Sequence, residues 1–324
     1  MKWWRISLFF IPSVLIYIGI STALVILGVP SKDSTNQDGL SFSELLIDYG
    51  KAPPLRKYQA RDGASLEYRL YPAKTNKTLI LLHGSGWHSR YLFPLASYIA
   101  SQDLAAVYTP NLRGHGRSPK KRGDIDYIGQ LEDDLWDLMK LIRRDNPGAK
   151  IILGGHSSGG GLAVRFAGSR YGKRVDAYLL LAPFLKYNAP TTRPDSGGWA
   201  VPYTGRIIGL SMLNNIGITW FNSLPAIEFN MPEAYRDGTE TLVYSHRLNT
   251  AYAPDDYEKD LGAITQPLLV VAGTEDESFF AEKYQPTISQ YTQASVKILP
   301  GVNHIGVVVG KEAQPVLKEW LTHR

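Results

Sequence analysis

Hydrophobic and polar positions come in blocks along this chain, and the first apolar block is the longest. From Ile6 to Pro30 no residue is charged. As a helix, the run 6–27 is long enough to cross a hydrocarbon core of about 30 Å. It has no polar face, which a helix of this length in a soluble protein normally shows. Lys2 and Arg5 precede it, and Lys32, Asp33, Asp38, Glu44 and Asp48 follow. This placement of Lys and Arg keeps the N-terminus cytoplasmic and the rest of the chain outside the cytoplasm. Trp3 and Trp4 stand where interfacial aromatics belong. The pattern therefore predicts a single-pass signal-anchor helix over residues 1–30. The alternative is a signal peptide whose cleavage secretes the protein. Such a peptide has a shorter apolar stretch, about 7–15 residues, and a small-residue cleavage site. Here the run ends Leu27-Gly-Val-Pro-Ser31.

Residues 31–60 are polar and then proline-containing, and read as a tether. Behind them, apolar runs at 66–71, 78–83, 105–109, 151–155, 177–181, 267–272 and 296–299 read as strands. Leu79-Ile-Leu-Leu82 and Leu268-Leu-Val-Val271 are apolar throughout, as in parallel strands covered on both faces. Between the strands lie helical spacings. Ile128, Leu131, Leu135, Leu138 and Ile142 share one face, and Asn146-Pro-Gly148 ends that helix. Val316, Leu317, Trp320 and Leu321 mark a C-terminal helix. Alternation of this kind predicts an α/β fold with a mainly parallel sheet flanked by helices. The rhythm breaks over 184–255, where Pro and Gly cluster among Trp199, Trp220, Phe221, Phe229 and Met231. That stretch reads as a cap or lid inserted between core parts 61–183 and 256–324, over one end of the sheet.

Composition narrows the chemistry. The 324 residues are 44% hydrophobic and 20% charged, which excludes a disordered or fibrous chain. No residue is Cys, so thiol catalysis and Cys-ligated metals are excluded. The charge of +5 comes from 35 basic and 30 acidic side chains, with one short cluster, Lys120-Lys-Arg122. A nucleic-acid partner is not expected from so little clustering. The cluster reads as a solvated run, or as a contact to anionic headgroups.

Gly155-His-Ser-Ser-Gly159 matches G-x-S-x-G directly after an apolar strand and before a helical pattern. A serine on such a strand-to-helix turn projects its hydroxyl above the sheet, which makes Ser157 the candidate nucleophile. It needs a base and an acid to orient that base, in the order Ser, Asp or Glu, His. His304 follows the strand at 296–299, and His323 stands near the terminus. Asp276, with Glu275 and Glu277 as alternatives, follows the strand at 267–272. Two amides should form the oxyanion hole: Ser158, directly after the nucleophile, and Ser85 in His83-Gly-Ser-Gly-Trp87. No metal or organic cofactor is needed.

The chain resembles the serine α/β-hydrolases of the monoacylglycerol lipase and lysophospholipase type. The resemblance rests on His83-Gly-Ser-Gly-Trp-His-Ser-Arg-Tyr91, Arg113-Gly-His-Gly-Arg-Ser118, the helix through Asp134 and Trp136, Gly155-His-Ser-Ser-Gly-Gly160, Gly273-Thr-Glu-Asp276 and Asn303-His304. It covers roughly 60–324 apart from most of 190–250. It implies an α/β-hydrolase fold, the triad Ser157, Asp276 and His304, and an oxyanion amide from Ser85. Relatives often carry Asp where this chain has Asn111, a position that organises the loop. The expected activity is serine esterase or lipase hydrolysis of a lipid ester such as monoacylglycerol or lysophospholipid, at a membrane reached through the N-terminal helix. A serine peptidase or acyltransferase would use the same triad. A catalytically silent binding protein would not need all three residues.

Overall fold

The continuously apolar runs lie side by side. The computed structural model describes residues 3–30, 39–117 and 119–324, with side chains from Pro12 onward except that of Asp195. The strands are β1 (Arg56–Gln59), β2 (Ser65–Tyr71), β3 (Lys77–Leu82), β4 (Ala106–Pro110), β5 (Lys150–His156), β6 (Ala177–Leu181), β7 (Ala200–Pro202), β8 (Pro225–Phe229), β9 (Val243–Ser245), β10 (Leu268–Gly273) and β11 (Ser295–Leu299). Eight of them form one sheet in the order β1-β2-β4-β3-β5-β6-β10-β11. From β4 to β11 every pairing is parallel, with Leu79 opposite Ile152 and Val270 opposite both Leu180 and Val296. The strand at 65–71 departs from the parallel expectation. It pairs antiparallel with β4 and with β1, whose RKYQ sequence buries only Tyr58. The central strands are closed to water on both faces, and Leu79 to Leu82 are all fully buried.

Helices α2 (Phe93–Ser101), α3 (Gln130–Asp145), α4 (Ser158–Gly168) and a C-terminal helix Gln314–Thr322 pack around that sheet, while α1 (Trp3–Leu27) and α5 (Thr204–Asn215) pair in a separate apolar cluster. The apolar face expected for α3 is buried at Leu131, Leu135, Leu138 and Ile142, while Ile128 precedes the helix and stays exposed. Glu132 and Asp133 in its first turn and Arg143 and Arg144 in its last complement the helix dipole. Across 184–255, β7, β8 and β9 make a separate antiparallel sheet. Trp199, Phe229 and Met231 are buried there, whereas Trp220 is 83% exposed beside a half-exposed Phe221.

Among the described residues no helix is long and apolar enough to cross a membrane. Within the uncharged run 6–27, side chains are described from Pro12 onward. Lys2, Lys32, Asp33 and Asp38, which carry the orientation argument, fall outside the described residues, as do the side chains of Trp3, Trp4 and Arg5. The described part of α1 packs antiparallel on α5. Gly28 meets Gly205, and Ser21 and Val25 meet Gly209, where a Cβ would stand 2.5 Å from the Ser21 carbonyl oxygen. The Tyr17 hydroxyl donates to the Met212 carbonyl, 2.9 Å away. This is a small-residue seam of the Gly-x-x-x-Gly kind.

The segment read as a tether is attached where it is described. β1 joins the sheet edge. Residues 39–45 run back across the carboxyl ends of the strands, with Leu40, Phe42 and Leu45 buried.

Candidate active site

All five residues singled out for chemistry lie at the carboxyl ends of parallel strands, where open α/β sheets bind ligands. Ser85 follows β3, Ser157 and Ser158 follow β5, Asp276 follows β10 and His304 follows β11. Ser157 sits at φ 55°, ψ −123°. Its amide donates to the Leu181 carbonyl, and its own carbonyl accepts from the amides of Gly161 and Phe184. The turn requires Gly159, since a Cβ there would collide with the His83 and Leu82 carbonyls. Ser158 opens α4, so its amide is among the first-turn donors that the helix leaves unpaired. The Ser158 hydroxyl donates to Ser85 Oγ at 3.3 Å, and Trp199 Nε1 donates to the same oxygen at 3.3 Å.

Asp276 and His304 are both buried and joined. His304 Nδ1 donates to Asp276 Oδ2 at 2.8 Å. The other carboxylate oxygen accepts the Ser278 and Phe279 amides, each at 2.8 Å. The carboxylate is therefore held by three donors and cannot rotate without breaking them. Of the alternative acids, Glu275 is exposed. Glu277 binds backbone instead, accepting the His304 amide at 3.0 Å on one oxygen and the Ser41 amide at 3.0 Å on the other. Ser157 and His304 line one cavity without a hydrogen bond between them. Catalytic contacts are often loose before substrate arrives.

Sequence reasoning missed several supporting groups. His156, the first open position of the G-x-S-x-G motif, lies 4.5 Å from His304, centroid to centroid, with the rings tilted by 39°. Its Nε2 donates to the His304 carbonyl at 3.0 Å, so its Nδ1 accepts from the Tyr91 hydroxyl at 2.9 Å. Tyr91 in turn accepts the Gly84 amide at 2.7 Å. Burial holds the His156 imidazole well below its usual pKa, so it stays neutral in this chain of bonds. Tyr244 plays a similar part from β9. It accepts the Gly86 amide at 2.9 Å and donates to His115 at 2.6 Å, tying the 113–118 motif to the 83–87 loop. Ser118 lies outside the described residues. Asn111 accepts the Ser89 hydroxyl at 2.6 Å, in keeping with a loop-organising role. Arg122 is spent on the Thr239 and Glu240 carbonyls, and Lys121 pairs with Asp126.

Two cavities flank Ser157, and Ser85 and Trp199 line both. One of about 30 Å³ is apolar, bounded by Leu40, Phe42, Leu45, Met231 and Ile305. The other, about 80 Å³, presents Ser158, Ser196, Asn249, Tyr252 and Ser278. A larger cavity of about 320 Å³ opens near Glu67, Asn111 and Lys120, does not include Ser157, and is no part of this site.

Comparison with known proteins gives the family and the fold. A family model described as serine aminopeptidase, S33, matches residues 73–305. Human monoglyceride lipase is 26% identical over 223 residues, 66% of this chain and 71% of the relative. A monkeypox virus monoglyceride lipase homolog is 24% identical over 265 residues, 78% of this chain and 92% of the relative. The fold also matches a soluble variant of the Saccharomyces cerevisiae monoglyceride lipase solved with a substrate analog. That match has a TM-score of 0.63 and 18% identity, covering 91% of this chain and 98% of the other. The chain belongs to the serine aminopeptidase S33 family, as an α/β-hydrolase similar to the monoglyceride lipases.

Proposed function

We propose that this protein is a serine ester hydrolase that cleaves neutral acyl-chain lipid esters of the monoacylglycerol kind. The observation that carries the reading is the buried Asp276–His304 pair, 2.8 Å apart, at a cavity that it shares with Ser157. His304 Nε2 takes the Ser157 proton as Oγ attacks the ester carbonyl, while Asp276 holds Nδ1–H and stabilises the imidazolium. The Ser85 and Ser158 amides receive the oxyanion. His304 returns the proton to the leaving alcohol, and a water activated in the same way releases the acid from Ser157.

The cavity linings support a neutral substrate. Among the described lining residues of both cavities, none is Asp, Glu, Lys or Arg. A phosphorylated headgroup, or the ammonium that an aminopeptidase must hold, would enter without a charged partner, which is unfavourable in a buried site. The names of the monoglyceride lipase relatives point the same way, while the family description and a proline iminopeptidase relative are why the peptidase is tested beside it. A fluorophosphonate probe should label Ser157, located by peptide mass spectrometry. Monoacylglycerol should be cleaved faster than lysophosphatidylcholine or aminoacyl anilides. Absence of labelling in folded protein would remove the hydrolase reading, and a preference for the anilides would turn it to a peptidase.

The cap over 184–255 and an anchoring N-terminal helix complete the proposal, with the catalytic domain outside the cytoplasm. Exposed Leu15, Ile16, Ile20, Ile26 and Leu27 support the anchor, because an apolar surface of this kind around a helix already seated on α5 suits lipid. Sodium carbonate should leave the full chain in the membrane pellet. Release of a shortened chain would indicate cleavage instead.

A further inference from the structure

We propose that Leu40, Phe42 and Leu45, from the strap between the N-terminal helix and the first strand, form the wall against which the acyl chain lies and set the chain length accepted. The inference rests on the esterase reading above. The strap lies outside the family match over 73–305.

Three observations place it there. First, the strap is pinned to the base loop. Glu277 accepts the Ser41 amide on one oxygen and the His304 amide on the other. Asn303, next to His304, donates to Glu44 at 2.9 Å. Second, its apolar side chains turn inward. Phe42 is 4% exposed, with its ring 5.4 Å from Trp199 and 5.6 Å from Tyr235. Third, the cavity that the strap borders reaches Ser157. The cavity under β7 to β9 sets Ser196, Asn249 and Ser278 among Phe184, Ile227, Phe229 and Phe279. The strap side is apolar, apart from the groups around Ser157 itself, and suits an acyl chain.

The strap side is also nearly filled. Its volume of about 30 Å³ leaves room for only one or two water-sized groups. A short acyl group fits as it stands, and each further methylene must displace strap side chains. One methylene in an apolar pocket is worth about 10–200-fold in specificity. Truncating Phe42 therefore favours longer chains, and enlarging it favours shorter ones.

The test uses the full chain in detergent micelles, with p-nitrophenyl esters from acetate to laurate. For Phe42→Ala the ratio of kcat/KM for decanoate to that for acetate should rise about tenfold or more. For Phe42→Trp it should fall. Leu40→Ala serves as a second truncation, and thermal melting of each variant identifies any that does not fold. Ratios unchanged in folded variants, or all esters altered by one common factor, would overturn the strap assignment and leave the esterase reading standing. Wild-type protein inert toward every ester would instead remove the reading on which it rests.

Discussion

Asp276→Asn is expected to lower kcat about 10⁴-fold with the fold intact, the loss seen when the orienting acid of such a triad becomes an amide. The reason lies in the two amides on Oδ1. Ser278 and Phe279 each donate to that oxygen at 2.8 Å, and an asparagine would keep its carbonyl oxygen there to satisfy them. Its NH₂ group would then face His304 Nδ1, where Oδ2 now accepts. A donor at that place forces Nδ1 to be the acceptor, and the ring proton moves to Nε2. In that tautomer Nε2 cannot take the Ser157 proton. The substitution leaves burial and volume nearly unchanged, so near-UV circular dichroism and melting should resemble wild type. Single-turnover and steady-state rates on a short-chain ester check the effect. A fall of less than tenfold in folded protein would mean that Asp276 does not orient the base.

The elements that the sequence revealed are those whose pattern is set by their own residues. Leu79 to Leu82 and Leu268 to Val271 are buried on both faces and carry no polar residue, so the parallel strands were readable. Ser157 was readable because its turn needs small neighbours at fixed offsets. β1 was not, since one inward Tyr58 in four residues makes no period. β7 and β9 are three residues long, too short to show alternation. The strap was hidden for a different reason. Leu40, Phe42 and Leu45 follow no helical or strand spacing, and they are buried by partners more than 100 residues away, among them Trp199 and Glu277. Glu277 was visible as a carboxylate beside Asp276, but only the folded chain shows that its oxygens are taken by two backbone amides. The motif left the position of His156 open, and its bond to the His304 carbonyl depends on how β5 and the loop after β11 meet.

The protein is also expected to lose stability steeply as pH falls from about 6.5 toward 5. Five histidines are held as neutral bases by burial. His83 and His246 are pushed down to about 4 and His88 to about 3, while His115 and His156 lie well below their usual range. A base with a depressed folded pKa stays neutral in the native state while the unfolded chain takes up its proton near 6.5. Stability is therefore present above that pH and lost below it. Three carboxyls oppose the trend, and burial raises Glu44 among them. Burial raises Asp134 and Asp260 to about 6, so the native state binds those protons first and gains as pH falls through that value. For Asp134 that value already includes Arg113, which donates to both of its oxygens at 2.7 and 2.8 Å and keeps the rise below what burial alone would give. Two to three more protons then bind the unfolded chain, at about 1.4 kcal/mol per pH unit each. One such unit removes about 3–4 kcal/mol, a large part of the typical total of about 5–15 kcal/mol. Urea midpoints measured by circular dichroism should drop sharply over this window, and His88→Gln should flatten the slope by the share of one proton. A midpoint that stays level from pH 7 to pH 5 would show that these histidines are protonated in the folded protein, and with it that the neutral His156 bridge to His304 is wrong.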